Sequence, residues 1–346
     1  MSVVSGGGAV SEHRKSKKDG DRWLALGVGN SRLHWALFER QQLCYTWDTP
    51  HLSEGAIAHL TQSGFMEQPI FSADLIQSWT HLPPHSAPHV DWHASRSTVE
   101  LAGDRSVASF VESFIDPLNH CLIHARRDSH LDSPSQPEDL ITSALSFTQP
   151  PPLWVASVVP AQGQGWLAYP QAHALTLAEI PLRGLYPTLG IDRALALWGA
   201  AQWGAPTLVV DAGTALTITA ADEALQLLGG CIVPGLRLQV RSLTQGTAAL
   251  PDLTGAEFTP QVPLWAMDTP TAILSGVLQG AIALIQHQAH QWRTRYSTGA
   301  IALTGGDSAL LYHTLTQQVP ALAATIVHDS ALLFRGLPAL RQSANR

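Results

Sequence analysis

The segment Thr207-Leu-Val-Val-Asp-Ala-Gly-Thr-Ala-Leu-Thr-Ile-Thr219 decides the fold of this chain. It starts with a short apolar run, continues through a polar turn that contains glycine, and ends in alternating apolar and polar residues. A short apolar run before a turn is typical of a buried strand, and alternation is typical of a half-buried strand. The segment therefore predicts two strands joined by a tight polar turn.

A second segment near the start of the chain has the same design and runs from Trp23 to Phe38. Its turn, Gly27-Val-Gly-Asn-Ser31, aligns position for position with Asp211-Ala-Gly-Thr-Ala215. Either turn alone is compatible with an ordinary hairpin. Two such turns, each opening one half of the chain, indicate a duplicated domain.

Turns of this kind can hold phosphate groups. Glycine lets a ligand approach the backbone closely, and the backbone N–H groups of a turn can cradle an oxyanion. The hydroxyl of Thr214 adds a donor, and the carboxylate of Asp211 can hold a cation that neutralises phosphate charge. Two such turns that face each other across a cleft would hold a triphosphate from both sides.

The rest of the chain alternates strands with helices, which predicts α/β architecture. We expect a strand at 153–159, a helix from about 192, a long helix from 269 to about 295, and a strand at 300–303. Residues 1–22 are rich in Gly and Ser and then basic, and are expected to form a disordered tail. The region around 80–150 is rich in Pro, His and Ser and is expected to be an insertion.

The composition narrows the classes of function. The 346 residues are 45% hydrophobic with a net charge of -7, which fits a packed globular protein and argues against nucleic-acid and anionic-membrane partners. The three cysteines form no CxxC pair, and residues 1–22 lack the apolar core of a signal peptide. No stretch has the roughly 18 consecutive apolar residues of a membrane span. We therefore expect a cytoplasmic protein.

A third segment, Gly190-Ile-Asp-Arg193, precedes an apolar helical pattern and has two interpretations. In the first, Asp192 is the N-cap of the helix and Arg193 is a surface residue. In the second, Asp192 lies at a helix end that faces a cleft. There it can accept a hydroxyl proton while Arg193 pairs with a substrate carboxylate.

Taken in order, these motifs resemble those of type III pantothenate kinases over nearly the whole catalytic length. The set comprises Gly-Asn-Ser at 29–31, Gly-Ile-Asp-Arg at 190–193, Asp-Ala-Gly-Thr-Ala at 211–215, Gly-Gly-Cys-Ile-Val-Pro-Gly at 229–235, Thr269 with Ala-Ile-Leu-Ser-Gly at 272–276, and Thr-Gly-Gly at 304–306. Each motif is weak alone, whereas the ordered set is specific.

The resemblance implies an α/β protein of two ribonuclease-H-like (actin-like ATPase) domains with a nucleotide cleft between them. The first domain would span 23–200, including the insertion, and the second would span 205–342. It also implies a homodimeric kinase that transfers the γ-phosphate of ATP to pantothenate, the first step of coenzyme A biosynthesis. The cofactors would be Mg²⁺ with ATP and a monovalent cation, K⁺ or NH₄⁺.

The resemblance also assigns roles to single residues. Asp192 would be the general base, and Asp211 would bind the monovalent cation. The residues expected to bind ATP are Gly27, Val28, Gly29, Asn30, Ser31, Arg32, Leu33, His34 and Thr214. The residues expected to bind pantothenate are Tyr186, Gly190, Ile191, Asp192, Arg193 and Thr269. Thr269 would act from the opposite subunit of the dimer.

The chain departs from the family pattern at several positions. The first family motif is Asp-x-Gly-Asn-Thr, but here Gly27 stands in place of the aspartate expected to hold magnesium, and Ser31 in place of the threonine. His34 stands where lysine is frequent, and Tyr186 lies closer to Gly190 than in the family pattern. The missing acid motivates one alternative, a non-catalytic regulatory protein that binds nucleotide or pantothenate. Another sugar or acid kinase of the same superfamily is a further alternative.

Overall fold

The computed structural model describes residues 21–66 and 147–344. These residues belong to one compact unit, which comprises Met1–Glu67 and Phe147–Arg346. Residues 1–20 of the predicted tail (1–22) and residues 80–146 of the predicted insertion (80–150) lie outside the described residues. The domain boundary expected between 200 and 205 stays a prediction.

The first sheet has five strands in the described part of the chain, in the order β3-β2-β1-β4-β5. They are β1 (Arg22–Val28), β2 (Leu33–Glu39), β3 (Gln42–Thr49), β4 (Leu153–Ser157) and β5 (Ala172–Ala174). The pairs β1–β2 and β2–β3 are antiparallel, whereas β1–β4 and β4–β5 are parallel. Strand β4 ends at Ser157, before the predicted 159, because Val159 caps a helix that begins at Pro160.

The second sheet repeats this topology. Its strands are β6 (Thr207–Ala212), β7 (Ala215–Ala221), β8 (Leu227–Pro234), β9 (Ala300–Thr304) and β10 (Ile326–His328), in the order β10-β9-β6-β7-β8. The pairs β6–β7 and β7–β8 are antiparallel, and β6–β9 and β9–β10 are parallel. Both sheets have the strand order of the ribonuclease-H-like fold, which confirms the duplication predicted from the two turns.

The strands that follow the two turns are more buried than alternation predicts. Strands β2 and β7 are buried along most of their length instead of on one face. In β7, Ile218 packs in the core of the second half, whereas Thr219 on the opposite face binds Arg193 of the helix that begins at Ile191, so both faces of the strand are covered. The expectation of half-buried strands is therefore wrong for β2 and β7.

The strand pairing shows which residues of the two sheets are equivalent. Gly27, the penultimate residue of β1, pairs with Ala156 on the parallel strand β4. Asp211, the penultimate residue of β6, pairs with Thr304 on the parallel strand β9. Gly27 and Asp211 therefore occupy the same place in the two halves.

Nine α-helices connect and cover the sheets in the described residues. They are α1 (Glu54–Ser63), α2 (Pro160–Leu167), α3 (Ile191–Ala201), α4 (Leu236–Gly246), α5 (Thr269–Arg295), α6 (Ser308–Gln318), α7 (Pro320–Ala323), α8 (Leu332–Arg335) and α9 (Leu337–Ala344). A short 3₁₀ helix covers Leu177–Glu179. The bounds of α5 confirm the long helix predicted from 269 to about 295.

Helix α3 lies in the core that joins the two halves. Its Leu195 shares a hydrophobic cluster with Trp23 of β1 and Val209 of β6. A Cβ added to Gly199 would collide with the backbone of Leu332, so α3 and α8 approach very closely. This packing fixes the position of the N-terminal end of α3.

Helix α5 packs on the second sheet. Its Val277, Leu278, Ile282 and Ile285 belong to the core of that half. By length and composition α5 alone among the described helices could cross a membrane, but a core helix of a soluble protein passes the same test. The burial of these four side chains fits a core helix.

Candidate functional site

The two predicted turns connect the first two strands of each sheet. In the first turn, the Gly29 N–H donates to the carbonyl oxygen of Arg32 over 3.0 Å. In the second, the Gly213 N–H donates to the carbonyl oxygen of Ala215 over 3.1 Å. Each turn is thus tied by its own backbone to rigid strands, which fixes the direction of its remaining N–H groups.

The two turns touch each other. The hydroxyls of Ser31 and Thr214 are hydrogen-bonded with their oxygens 2.7 Å apart, although 183 positions separate them in the chain. Both residues are exposed, as is the neighbouring Asn30. The structure therefore presents two polar turns side by side, with their hydroxyls open to solvent.

A shallow hollow lies beside the second turn. It is lined by Ala212 and Gly213 of the turn, Gly235 and Leu236 at the start of α4, and Asp307 before α6. Burial raises the pKa of Asp307, and the positive charges of Arg237 and Arg32 oppose this shift. An anion at this end of the turns would therefore meet two arginines as well as one carboxyl group.

Asp211 lies near the end of β6, where it is packed against Gly305 and remains partly exposed. A Cβ added to Gly305, which has a φ of +97°, would lie 2.5 Å from Asp211 Oδ1. Only a glycine fits there, because L side chains rarely adopt this conformation and the space is already filled. Burial and the nearby charge of Asp192 raise the pKa of Asp211 to about 6.

The carboxylate of Asp211 is available to a cation. Among the described residues, no side chain donates a hydrogen bond to it. Buried carboxylates normally pair with a partner or bind a metal ion. The oxygens of Asp211 therefore fit a hard cation such as K⁺.

The structure decides between the two interpretations of Asp192, N-cap or cleft-facing acid. Helix α3 begins at Ile191 with Gly190 as its N-cap, so the interpretation of Asp192 as the N-cap is wrong. Asp192 lies in the first turn of α3, where its Oδ1 accepts the N–H of Arg193 over 2.7 Å. Burial raises the pKa of Asp192, and the N–H and charge of Arg193 oppose this shift.

Arg193 is buried, with 8% of its surface exposed, so its interpretation as a surface residue is also wrong. Its Nε donates to the hydroxyl of Thr219 on β7 over 3.0 Å, and its Nη1 donates to the hydroxyl of Tyr186 over 3.0 Å. Tyr186 thus reaches Arg193 despite its unusual spacing from Gly190. The pair has the chemistry of a carboxylate-binding site next to Asp192.

The place of the missing aspartate is filled by an apolar side chain. A Cβ added to Gly27 would lie 2.6 Å from Cδ2 of Leu333 on α8. Gly27 also pairs with His34 across the β1–β2 hairpin. Where Asp211 stands in the second half, the first half therefore has a glycine flanked by a leucine and a histidine.

Other predicted site residues offer only part of what the prediction assigned to them. The side chains of Val28, Leu33 and Ile191 are buried, which leaves their backbone for contact with a ligand. Thr269 is exposed at the first position of α5. Within the described residues, it shares no side-chain hydrogen bond with Asp192 or Arg193.

Two residues near the site were missed by the sequence interpretation. Asp48 on β3 is hydrogen-bonded to His34, and Leu333 on α8 covers Gly27. No motif contains either of them. Across the described residues, no group of three or more His, Cys, Asp or Glu side chains could hold a metal ion.

Comparison with known proteins gives a consistent result. A family model described as type III pantothenate kinase matches residues 136–291. A type III pantothenate kinase from a Nostoc species is 37% identical over 318 residues, which cover 92% of this chain and 93% of that protein. A type III pantothenate kinase from Synechococcus elongatus is 32% identical over 92% of this chain and 96% of its own length.

Among solved structures, a Baf family protein from Campylobacter jejuni aligns with 93% of this chain and 100% of its own. The sequence identity is 17% and the TM-score is 0.49. At this level of similarity, we draw no conclusion from the structural match.

Proposed function

The chain belongs to the type III pantothenate kinase family, and we propose that the two touching turns and Asp192 form its active site. The protein is an ATP-dependent kinase that phosphorylates pantothenate to 4′-phosphopantothenate, the first step of coenzyme A biosynthesis. The observation that carries the site proposal is the hydrogen bond between Ser31 and Thr214, which unites turns from both halves of the chain.

ATP binds with its phosphates against the two turns. The exposed hydroxyls of Ser31 and Thr214 and the backbone N–H groups of 27–34 donate to phosphate oxygens. Arg32 supplies positive charge from the first turn, where its side chain is 54% exposed. Since phosphoryl transfer depends mainly on positioning and charge stabilisation, two rigid turns around one triphosphate supply most of what it needs.

The protein offers a carboxylate to the monovalent cation but none at position 27 to Mg²⁺. When bound, Mg²⁺ and K⁺ neutralise negative charge on the phosphates. Asp211 fits K⁺ or NH₄⁺, because it is a closely packed carboxylate without a hydrogen-bond donor among the described residues. Gly27 offers no side-chain carboxylate for Mg²⁺, so this position would leave Mg²⁺ to the oxygens of ATP.

Asp192 accepts the proton of the attacking hydroxyl. Its carboxylate lies in the first turn of α3, and burial raises its pKa toward the range useful to a general base. Full deprotonation of the alcohol is unnecessary, because the transition state of phosphoryl transfer is loose. Asp192 chiefly orients the hydroxyl toward the γ-phosphate.

Pantothenate carries a carboxylate, and the chain offers a cation for it. Arg193 is held by Thr219 and Tyr186 in a fixed orientation beside Asp192. Arg193 and Tyr186 bind the substrate carboxylate, and Gly190 with Ile191 lets the substrate approach the backbone. A fixed guanidinium binds a planar carboxylate better than a flexible ammonium group does.

The active form is a homodimer that joins through the segment before α5. Leu264, Trp265 and Met267 are 63%, 85% and 98% exposed, which is unusual for large apolar side chains. They lie next to Thr269, the residue assigned to the opposite subunit's site. Light scattering should show a dimer, and Trp265→Ser together with Met267→Ser should shift it toward monomer. A wild-type monomer at micromolar concentration would contradict this proposal.

A phosphorylation assay tests the function. The purified protein, incubated with ATP, Mg²⁺, K⁺ and pantothenate in a cytoplasm-like buffer, should release ADP and 4′-phosphopantothenate in equal amounts. Omission of K⁺ should reduce the rate. Release of ADP only with a different alcohol would contradict pantothenate as the substrate, and nucleotide binding without turnover would favour the non-catalytic alternative.

A further inference from the structure

Asp48 lies outside every motif and yet is hydrogen-bonded to a residue of the site. It stands opposite His34 in the pairing of β2 with β3. Nδ1 of His34 lies 2.7 Å from Oδ1 of Asp48. Arg32 is also within 4.0 Å of the Asp48 carboxylate, so Arg32 of the first turn and His34 of β2 both lie next to this one acid.

The bond to Asp48 determines which nitrogen of His34 can meet a ligand. Nδ1 is occupied, so Nε2 remains, and no described residue forms a hydrogen bond with it. Nε2 lies 3.5 Å from the point where a Cβ of Gly29 would stand, which places it beside the backbone of the first turn. The His34 side chain is 37% exposed, so a ligand in the turn can reach it.

The charged groups around His34 come from several elements. Asp48 faces it from β3, Asp211 from β6 and Asp192 from α3, whereas Arg32 in its own turn opposes its protonation. Burial lowers the pKa of His34, but the hydrogen bond and charge of Asp48, with the charge of Asp211, together raise it above the ordinary value. Asp48 thus stabilises the positively charged form of the imidazole.

We propose that Asp48 is a positioning residue that holds His34 with its Nε2–H directed at the phosphates of the bound nucleotide. In this arrangement the imidazolium brings a positive charge to the half of the site in which Gly27 leaves no acid to hold a metal ion. The proposal rests on the proposed function, because it requires the triphosphate to lie in the first turn.

The arrangement makes nucleotide binding depend on pH. A group with a raised pKa keeps its charge up to that pKa and loses it as the pH rises further. Nucleotide affinity should therefore be highest at mildly acidic pH and decrease as His34 loses its proton. Removal of the Asp48 charge should move this decrease to lower pH.

Calorimetric binding of a non-hydrolysable ATP analogue between pH 6 and 9 tests the proposal without the need for turnover. Asp48→Asn should weaken binding by up to about tenfold, the magnitude of one lost charge-assisted hydrogen bond, and the decrease of affinity should begin at a lower pH than in the wild type. His34→Lys should bind with nearly constant affinity over this range, because lysine stays charged. Glu39→Gln, an exposed acid at the far end of β2, is the matched control and should behave like the wild type.

Proton NMR of His34 adds a readout that a purely structural role would not change. In Asp48→Asn the pKa of His34 should be lower than in the wild type. An unchanged pKa or unchanged nucleotide affinity in Asp48→Asn would overturn the proposal, as would a wild-type pH dependence in His34→Lys. If the wild type binds the analogue but never phosphorylates pantothenate, the proposed function fails while this inference stands.

Discussion

The two halves of the molecule share one topology but place opposite charges at the ends of their first strands. The first half has Gly27 as the penultimate residue of β1, and it carries Arg32 in its turn and His34 on β2. The second half has Asp211 as the penultimate residue of β6, and residues 213–218 carry no charge. In the proposed function, the first half supplies positive charge to the phosphates and the second half supplies a carboxylate to a metal ion.

The packing around Gly27 shows how the fold accommodates the loss of the family's first aspartate. Leu333 of α8 occupies the space beside Gly27 that a side chain would need. An aspartate at position 27 would therefore require α8 to pack differently. The non-catalytic alternative rested on Gly27 alone, and neither the relatives nor the geometry of the turns favours it.

The largest effect is expected from Asp192, the carboxylate that lies between the two halves. Asp192→Asn keeps the shape and removes the base, so kcat should fall on the order of 10²–10⁴-fold. Steady-state kinetics with pantothenate would measure this, and circular dichroism would check that the fold is intact. A near-normal kcat would remove Asp192 from the catalytic role.

Asp211→Asn removes the carboxylate that the second half is proposed to supply to the monovalent cation. We expect loss of stimulation by K⁺ and a decrease in rate on the order of 10- to 100-fold, as for residues that support a metal site. Assays in KCl, with choline chloride as the control, would measure it. Equal stimulation of variant and wild type by K⁺ would place the monovalent site elsewhere.

The same variant should change the pH dependence of stability. Burial and Asp192 raise the pKa of Asp211 to about 6, whereas in the unfolded chain it is close to 3.8. The ionised carboxylate therefore destabilises the fold increasingly between these two values, and the penalty is complete above them. Without K⁺, Asp211→Asn should have a higher Tm than the wild type at pH 7 and an equal Tm below pH 4, as thermal unfolding would show.

Gly27→Asp tests whether the two halves can be made alike. The added side chain would collide with Leu333, and overpacking of this kind costs about 1–3 kcal/mol of unfolding free energy. Leu333→Ala should relieve the collision, so the double variant should be more stable than the sum of the single effects predicts. Additive effects of the two substitutions in denaturant unfolding would show that Leu333 does not exclude an acid at 27.

The smallest effect is expected at the contact between the turns. The hydroxyl pair of Ser31 and Thr214 is exposed, and one such hydrogen bond contributes roughly 0.5–1.5 kcal/mol at most. A double-mutant cycle with Ser31→Ala and Thr214→Val should give a small coupling energy for unfolding. Each substitution should also raise the KM for ATP a few-fold. Independent effects on KM would mean that the two hydroxyls do not serve one phosphate site.

The sequence was sufficient for the parts of the fold that depend on short-range patterns. The two strand-turn-strand segments, the long helix α5 and the helix that follows Gly190 are where the patterns predicted them. The equivalence of Gly27 and Asp211 follows from the same two turns. These features are local in sequence, and each is fixed by a turn, a cap or an apolar period.

Asp48 could not be predicted in the same way. The tight turn after β2 pairs Glu39 with Gln42, and this register extended without a break would place Trp47 opposite His34. A β-bulge between Leu37 and Phe38 shifts the pairing by one residue and brings Asp48 to His34 instead. A bulge of this kind depends on packing around the strand, which no pattern in the sequence records.

Leu333 was missed for a different reason. It lies on the four-residue helix α8, more than 300 positions after Gly27. It reaches β1 only because α8 and α9 pack into the hydrophobic cluster that contains Trp23 of β1. The buried Arg193 also has a partner outside its own motif, Thr219, which lies 26 positions later in the chain. Contacts of this kind come from tertiary packing.

A crystal structure with a non-hydrolysable ATP analogue and pantothenate would test the account most directly. We predict the γ-phosphate within hydrogen-bond distance of the hydroxyls of Ser31 and Thr214, with the primary hydroxyl of pantothenate beside the carboxylate of Asp192. A triphosphate bound away from either turn, or a pantothenate hydroxyl directed away from Asp192, would contradict it.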